Sequence, residues 1–260
     1  MNYLLTITIL CFNFISIYAQ SVSPYPDNSF TIKEYIYLDI PSPKKTWGEA
    51  EMKTFIKYME KVQAEDKWSL PRKDSPYSGE LFKKMVDLSN LSSINDKSIP
   101  IEDRLNSIET HMAYSNFIIM LYKENNRKTE RFGREVLASF TYLVYTARSV
   151  RLFFDELKDE LPASTTQSND FQNVHSNATE QLADLIYMVL LTFEKDTKRY
   201  DHADLSDFAK DSYYTISENW SLLSSTQQNT LMLSMNKLQQ HTNRTVAQEM
   251  RQLYAKLKKA

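Results

Sequence analysis

A polar segment at residues 68–79 brings together the side-chain types best suited to binding a partner. It reads WSLPRKDSPYSG, and its candidate binding residues are Trp68, Arg72, Lys73, Asp74 and Tyr77. Tryptophan, tyrosine and arginine are enriched at binding hot spots, and arginine and lysine can hold an anion. Two prolines restrict the shapes that the segment can adopt. The segment is therefore predicted to be a binding surface; the alternative is a rigid connection between helices whose aromatic side chains cover the core.

The histidines do not follow the spacings that bind metal ions on helices. They are His111, His175, His202 and His241. None has a glutamate three residues before it, as in metal-binding helical bundles, and no two are four residues apart, as in zinc proteases. The one local group of ligand types is Asp201 and His202 with Asp204, and its place at a helix edge is more typical of a solvated cap. No metal site and no cofactor is therefore predicted.

Side chains for nucleophilic catalysis are equally scarce. The chain has no Gly-x-Ser-x-Gly elbow, and its single cysteine, Cys11, lies in a predicted leader. Paired carboxylates of a glycoside hydrolase need only two acids in a cleft, so the 33 acidic residues leave that chemistry open. Four of them, Asp155, Glu156, Asp159 and Glu160, alternate with apolar positions as a solvated helix face does. No catalytic residue is predicted.

Amino-acid composition restricts both the possible fold classes and the possible kinds of binding partner. A net charge of −2 and a pI near 6.1 argue against nucleic acid, whose binding needs a concentrated basic face. The lysines Lys256, Lys258 and Lys259 form one basic cluster, which suits the end of a helix. Only three glycines occur in 260 residues, whereas hairpin turns and phosphate loops depend on glycine. The chain is therefore predicted to be all-α.

The first residues have the pattern of an export signal. An apolar run from Tyr3 to Ile17 carries no charged side chain and is too short to span a bilayer as a helix. Ala19 suits the position before a cleavage site, so residues 1–19 are predicted to be a signal peptide. The alternative is an uncleaved anchor or a buried N-terminal helix. Cleavage during export to the periplasm or out of the cell would also remove Cys11, the only cysteine, and leave the mature chain without a thiol or an internal disulfide.

An arm and a helical domain are predicted to follow the signal peptide. Residues 20–45 hold four of the eight prolines around a β-prone stretch, Phe30 to Ile40, and are predicted to be an extended arm. From residue 46 onward, apolar residues recur three and four positions apart, as on one face of a helix. No repeat or linker divides this part. Residues 46–260 are therefore predicted to be a single domain, an irregular bundle of six to eight helices.

The predicted helices follow from this spacing and from their end signals. They run from a capping box at Thr46 and Glu49 to about Asp66, from Glu80 to Leu91, from Pro100 to Asn125 and Asn126, from Thr129 to Leu161, around Leu182 to Phe193, through Ile216, Trp220 and Leu223, and from a capping box at Ser225 and Gln228 to Leu257. Residues 163–173 are predicted to be a loop. The stretch from Leu182 to Phe193 is apolar nearly all round, which predicts a central position surrounded by other helices.

The preferred hypothesis is an exported, non-enzymatic helical protein that binds another protein, for example to neutralise or escort it. It rests on the lack of catalytic motifs and on 16 tyrosines and 3 tryptophans, which supply contact area at small entropic cost. The alternative is a carrier of an apolar small molecule, with ten methionines in a malleable lining, and the second alternative is a carboxylate-based hydrolase. No membrane span is expected after signal removal, and the oligomeric state is left open. Four glycosylation triplets, at Asn90, Asn177, Asn219 and Asn243, would matter only in a eukaryotic secretory pathway.

Overall fold

A computed structural model gives the fold of residues 47–64, 70–75, 78–129, 131–195 and 200–259. These described residues form α-helices and short 3₁₀ turns, and they contain no β-strand. The predicted all-α class is thereby confirmed. The predicted signal peptide and the predicted extended arm lie outside the described residues, so both stay predictions.

The α-helices are numbered in chain order. They are α1 (Glu49–Ala64), α2 (Gly79–Met85), α3 (Ser92–Asn95), α4 (Ile101–Thr129), α5 (Gly133–Glu160), α6 (Ala163–Thr166), α7 (Asn169–Lys195), α8 (His202–Asn219), α9 (Ser225–Leu238) and α10 (Arg244–Leu257), with 3₁₀ turns at Leu88–Leu91 and Trp220–Leu222. The described residues contain more helical segments than the six to eight predicted, because α3 and α6 are single turns within connections and the predicted last helix is broken in two. Over the described ranges, no helix is both long enough and apolar enough to cross a membrane.

The contacts between residues divide the chain into two compact units, and the boundary falls within α5, between Tyr142 and Leu143. The N-terminal unit includes residues 47–142 of the described chain, and the C-terminal unit includes residues 143–259. Each unit contains buried apolar side chains of its own, as compact substructures require. The single domain over residues 46–260 stays a prediction.

In the N-terminal unit, α1 packs on α4 through aromatic side chains. The ring centroids of Trp47 and Phe55 are 5.6 Å apart. The ring centroid of Tyr114 lies 6.2 Å from that of Trp47 and 6.1 Å from that of Phe55. Inclined ring pairs of this kind add roughly 1 kcal/mol each beyond the area that they bury. Met52 and Met59 extend the buried face along α1. The predicted three–four spacing of this helix therefore does mark its core side.

The second helix is shorter than predicted. α2 ends at Met85, and a 3₁₀ turn takes the place of the predicted helix through Leu91. Leu88 is 43% exposed in this turn instead of lying on a buried face. Asp87 begins the turn by accepting a hydrogen bond from Ser89 N at 2.9 Å. A local side-chain bond of this type competes with a continued helix, which accounts for the early end.

Helix α4 is longer than predicted, because it continues through Asn125 and Asn126 to Thr129. The Asn125 side-chain amide donates a hydrogen bond to Leu121 O at 2.8 Å. Asn126 Oδ1 accepts one from Phe132 N, also at 2.8 Å. Both polar side chains thus find backbone partners while remaining buried. Asparagine often ends a helix because its side chain can form a hydrogen bond with the backbone in a non-helical conformation. Here Asn125 and Asn126 form such hydrogen bonds while their own backbone stays helical.

In the C-terminal unit, α8 packs against α10, and α9 packs against α7 and α10. The apolar residues that recur three or four positions apart in the last two helices are buried, as this spacing predicts: Leu231, Met235, Leu238, Val246, Met250, Leu253 and Leu257. They belong to two helices and not to one. Asn243 separates the helices because its Oδ1 accepts hydrogen bonds from Thr245 N at 3.0 Å and Val246 N at 3.3 Å. It thereby caps the start of α10.

The capping box that opens α9 lies one residue earlier than predicted. Ser224 N donates to Gln227 Oε1 at 2.8 Å, and Ser224 Oγ accepts from Gln227 N at 3.4 Å. Ser225 and Gln228 have the same spacing, but the Gln228 amide donates to Trp220 O at 2.9 Å. The spacing alone does not distinguish the pair Ser224 and Gln227 from the pair Ser225 and Gln228. The structure does, because the Gln228 side chain is hydrogen-bonded to the backbone of Trp220.

Helix α7 begins earlier and is less enclosed than predicted. It starts at Asn169, inside the predicted loop at residues 163–173. Its apolar centre buries one side of the helix, with Leu182, Ile186 and Leu190 fully covered. Met188, in contrast, is 37% exposed. The helix therefore has an outer side, and the predicted position surrounded by other helices is wrong.

Candidate functional site

The segment predicted to bind a partner lies in the N-terminal unit, against the turn between α4 and α5. Of the predicted site residues, Arg72, Lys73 and Asp74 are described and exposed, whereas Trp68 and Tyr77 lie outside the described residues. The three described residues meet a second stretch that the predicted site does not include. The combined surface is called the basic corner, and its residues are Arg72, Lys73, Asp74, Arg131, Phe132, Arg134 and Glu135.

Arg72 is held in place by the backbone of the chain and by an aromatic ring. Its Nη2 donates a hydrogen bond to Arg131 O at 2.6 Å, and its Cζ lies 5.2 Å from the centre of the Phe132 ring. Its Nε lies 3.8 Å from Glu135 Oε1. The side chain is still 48% exposed, so part of the guanidinium meets solvent. A cation positioned in this way loses little conformational freedom when it meets an anion.

Glu135 lies beneath the loop, in the first turn of α5, and only 2% of it is exposed. Its Oε1 accepts a hydrogen bond from Lys73 N at 2.7 Å, so the carboxylate holds the loop backbone. Burial raises the pKa of Glu135 above its ordinary value, although the Lys73 N–H and the Arg72 charge act in the opposite direction, and nearby Asp74 adds to the rise. Its Oε2 accepts no hydrogen bond from the described residues.

Two further contacts hold the loop in position. The Tyr122 hydroxyl, which comes from α4, donates a hydrogen bond to Pro71 O at 2.6 Å. Gly79 N donates to Ser75 O at 2.9 Å and closes the loop onto the start of α2. A Cβ added to Gly79 would lie 3.0 Å from Lys73 O, so the loop backbone would have to shift slightly to admit a larger residue. The described part of the loop is thus a well-anchored connection that also presents charged side chains.

The basic corner contains more basic than acidic residues. Its basic side chains are those of Arg72, Lys73, Arg131 and Arg134, and its acidic ones are those of Asp74 and Glu135. Asp74 forms an ion pair with Arg134, while the Glu135 carboxylate is buried. Because an exposed ion pair is worth only about 0–1 kcal/mol, Asp74 is a weak competitor for a carboxylate brought by another molecule. The corner is therefore suited to an anionic group.

The N-terminal unit also contains a buried histidine away from the corner. His111 on α4 is 0% exposed; its Nε2 lies 3.4 Å from Ser93 Oγ, and its Nδ1 lies 3.4 Å from Tyr142 OH. Burial lowers the pKa of His111 to about 4, so the ring is neutral at physiological pH. An enclosed, neutral imidazole is out of reach of a substrate. Its role is therefore in packing.

In the C-terminal unit, a charged cluster joins α5 to α7. Asp155 Oδ1 lies 2.9 Å from His175 Nε2 and forms an ion pair with Arg151. Burial lowers the pKa of His175. Burial opposes the ionisation of Asp155, but hydrogen bonds from Arg151 and His175 outweigh it and lower the Asp155 pKa. Across the described chain, no three histidine, cysteine or acidic side chains form a group that could hold a metal ion, and Asp201 and His202 are exposed.

No protein-family model, curated protein or solved structure matches this chain. The basic corner therefore carries the functional proposal. The sequence does carry a signal for its second half, since residues 127–135 read RKTERFGRE, with four basic residues in nine. That segment spans the gap after one predicted helix and the start of the next, at Thr129, and no spacing rule places it beside residues 72–74. Only the folded chain shows that the two basic segments form one surface.

Proposed function

We propose that the protein is an exported, non-enzymatic binding protein, and that its basic corner contacts an acidic segment of a partner protein. The observation that carries the proposal is the fixed position of Arg72, whose guanidinium is held by Arg131 O and the Phe132 ring while remaining half-exposed. Lys73 and Arg134 are exposed basic residues of the same corner, and Arg134 is paired with Asp74. A pre-positioned cationic surface of this kind binds at a reduced entropic cost.

The chemistry of the corner favours carboxylates over a neutral or apolar partner. Arginine presents a planar fork that matches a carboxylate, and opposite charges also steer the partner during encounter. The half-buried Phe132 ring adds an apolar floor beneath the Arg72 cation. An acidic protein segment offers several carboxylates at once, which fits a surface with several cations. Neutralising or escorting a partner is the activity that such binding would serve.

The proposal can be tested by charge reversal with a matched control. Lys73→Glu changes the charge of the corner, whereas Lys258→Glu makes the same change at the exposed C-terminal basic cluster. A fluorescein-labelled polyglutamate peptide serves as the probe, and its anisotropy is titrated against each protein. We expect Lys73→Glu to weaken binding about tenfold, roughly 1.4 kcal/mol, and Lys258→Glu to leave it within about twofold. Salt at about 1 M, where charges are screened beyond roughly 3 Å, should abolish binding.

Three results would contradict the proposal. The first is no binding of the acidic probe by the wild-type chain. The second is equal weakening by the two reversals, because this would mean that only net charge matters. The third comes from a pull-down from an extract of exported proteins. The proposal is contradicted if the wild-type chain retains no stoichiometric partner. It is contradicted equally if Lys73→Glu retains the same partner as the wild type.

The two alternative functions have less support and stay predictions. For the hydrolase, Glu135 has a raised pKa and a second carboxylate, Asp74, nearby, as paired catalytic acids do. However, Glu135 is buried and bonded to the Lys73 backbone, so a substrate would have to displace the loop to reach it. For the carrier of an apolar small molecule, no observation on the described residues favours the hypothesis.

A further inference from the structure

The four Asn-x-Ser/Thr triplets differ sharply in their surroundings. Attachment of an N-linked glycan requires that the asparagine Nδ2 be free to carry a sugar, and the folded protein must then leave the glycan in solvent. The acceptor asparagines are Asn90, Asn177, Asn219 and Asn243. All four lie within the described residues, so their burial can be compared directly.

Asn90 has no room for a sugar. It is 2% exposed, and both ends of its side chain are used in the N-terminal unit. Its Oδ1 accepts a hydrogen bond from Trp47 N at 2.8 Å, and its Nδ2 donates one to Lys84 O at 2.8 Å. Replacing an Nδ2 proton with a sugar ring would push Trp47 and the end of α2 apart. A chain modified at Asn90 could not adopt this packing.

Asn219 and Asn243 are excluded for the same reason in the C-terminal unit. Asn219 is 0% exposed, and its Nδ2 donates to Thr215 O at 2.6 Å. Asn243 is 2% exposed, and its Nδ2 donates to His202 O at 2.9 Å. The Asn243 side chain also provides the cap of α10. A glycan on either residue would disrupt buried contacts between α8 and its neighbours.

Asn177 is different, because it lies on the partly solvent-facing side of α7. It is half-buried, and the residues around it on the helix surface, Asn173, Ser176 and Glu180, are exposed. The third residue of its triplet, Thr179, supplies the hydroxyl that the acceptor motif requires. A sugar on Asn177 Nδ2 could project into solvent without displacing a buried helix.

We propose that Asn177 is the single N-glycan acceptor of the folded protein when the chain is exported through a eukaryotic secretory pathway, and the inference rests on the predicted export of the chain. In the transfer, Asn177 Nδ2 forms a bond to C1 of the first sugar of a lipid-linked oligosaccharide pyrophosphate. The bond from C1 to the pyrophosphate oxygen breaks, the lipid pyrophosphate leaves with the electron pair, and one amide proton is released. The glycan would cover part of the outer surface of the C-terminal unit and leave the basic corner, in the other unit, chemically unchanged.

The test uses the full chain with its own leader, expressed in cultured cells whose endoplasmic reticulum attaches N-glycans. Protein is recovered from the secretory compartments and the medium, digested with an amidase that removes N-glycans, and mapped by mass spectrometry in heavy-oxygen water. We expect one mobility step that the amidase reverses, a heavy label at Asn177 only, and loss of the step in Asn177→Gln. Asn173→Gln, an exposed asparagine of the same helix outside any triplet, is the control and should keep the step.

Two results overturn the inference while leaving export intact. They are an unmodified Asn177 in chain recovered from the secretory compartments or medium, and a glycan on Asn90, Asn219 or Asn243 in folded, secreted protein. A chain found only in the cytosol, unmodified, overturns both the predicted export and this inference. The binding assay at the basic corner is independent of all three results, so failure of one proposal can be told apart from failure of the other.

Discussion

Acid is expected to destabilise the N-terminal unit through His111. The ring is fully buried, and the groups that face its nitrogens, Ser93 Oγ and Tyr142 OH, are neutral partners that do not compensate a positive charge. Burial therefore lowers its pKa from the ordinary 6.5 to about 4. In the unfolded chain the ring takes up a proton near pH 6.5, well before the folded protein does. Falling pH therefore favours unfolding, and the stability present above pH 6.5 is lost as the pH falls towards 4.

The magnitude follows from the separation of the two pKa values. Each unit of separation corresponds to about 1.4 kcal/mol. Roughly 3 kcal/mol is therefore lost once the pH is below 4, and about 2 kcal/mol of this is already lost near pH 5. The loss is large against a total stability of about 5–15 kcal/mol for a typical domain.

Urea unfolding followed by circular dichroism, at about pH 7.5 and about pH 5, measures the effect. His111→Gln removes the titrating group, so its free energy of unfolding should fall about 2 kcal/mol less between these pH values than that of the wild type. The lowered pKa of His175 acts in the same direction in both proteins and cancels in the comparison. The lowered Asp155 pKa matters only below its ordinary value of 3.8, outside this interval.

An exposed histidine serves as the control. His202→Gln should show the wild-type fall, because its side chain meets water in the folded state as it does in the unfolded one. If wild type and His111→Gln lose the same stability between the two pH values, the ring is not a buried neutral group and the reasoning is refuted. An acid loss that disappears only in His202→Gln would refute it equally.

Two further predictions concern the anchoring of the loop and the start of α9. Gly79→Ala should lower the free energy of unfolding by about 1–3 kcal/mol, because its Cβ would lie 3.0 Å from Lys73 O. Gly48→Ala should lower it by less than about half of that, because its Cβ would meet only a movable glutamate side chain. Ser224→Ala should cost about 1 kcal/mol by removing the α9 capping box, and Ser225→Ala, one residue on, should be close to neutral. Urea titrations measure all four, and equal effects within either pair would contradict the assigned contact.

Much of the fold follows from residue spacing. On α5, apolar residues at the three–four spacing, such as Val136, Phe140 and Phe154, are buried, because this repeat places them on one side of the helix, facing the core. The same rule marks the buried residues of α9 and α10 correctly. Predictions of this kind succeed because the burial of many apolar groups acts together.

Helix ends were harder to predict, since each depends on a few polar groups with several available partners. Asn125 and Asn126 read as a stop signal, yet they bond to backbone groups of α4 and of the following turn, so the helix continues. Asn243, in the middle of a predicted helix, caps a new one instead. A single hydrogen bond contributes about 1 kcal/mol net, so neighbouring contacts can reverse the local preference.

By itself, the sequence determined the helical class, the buried faces and the presence of cationic side chains at residues 72–73, because these depend on composition and on periods within one helix. The tertiary structure decided which charges meet, joining Arg72 and Lys73 to residues 131–135 more than fifty positions away. It also decided which glycosylation triplets are covered. The physical reason is the same in both cases: contacts between distant segments arise from how helices pack, and packing depends on the whole set of side chains rather than on any local pattern.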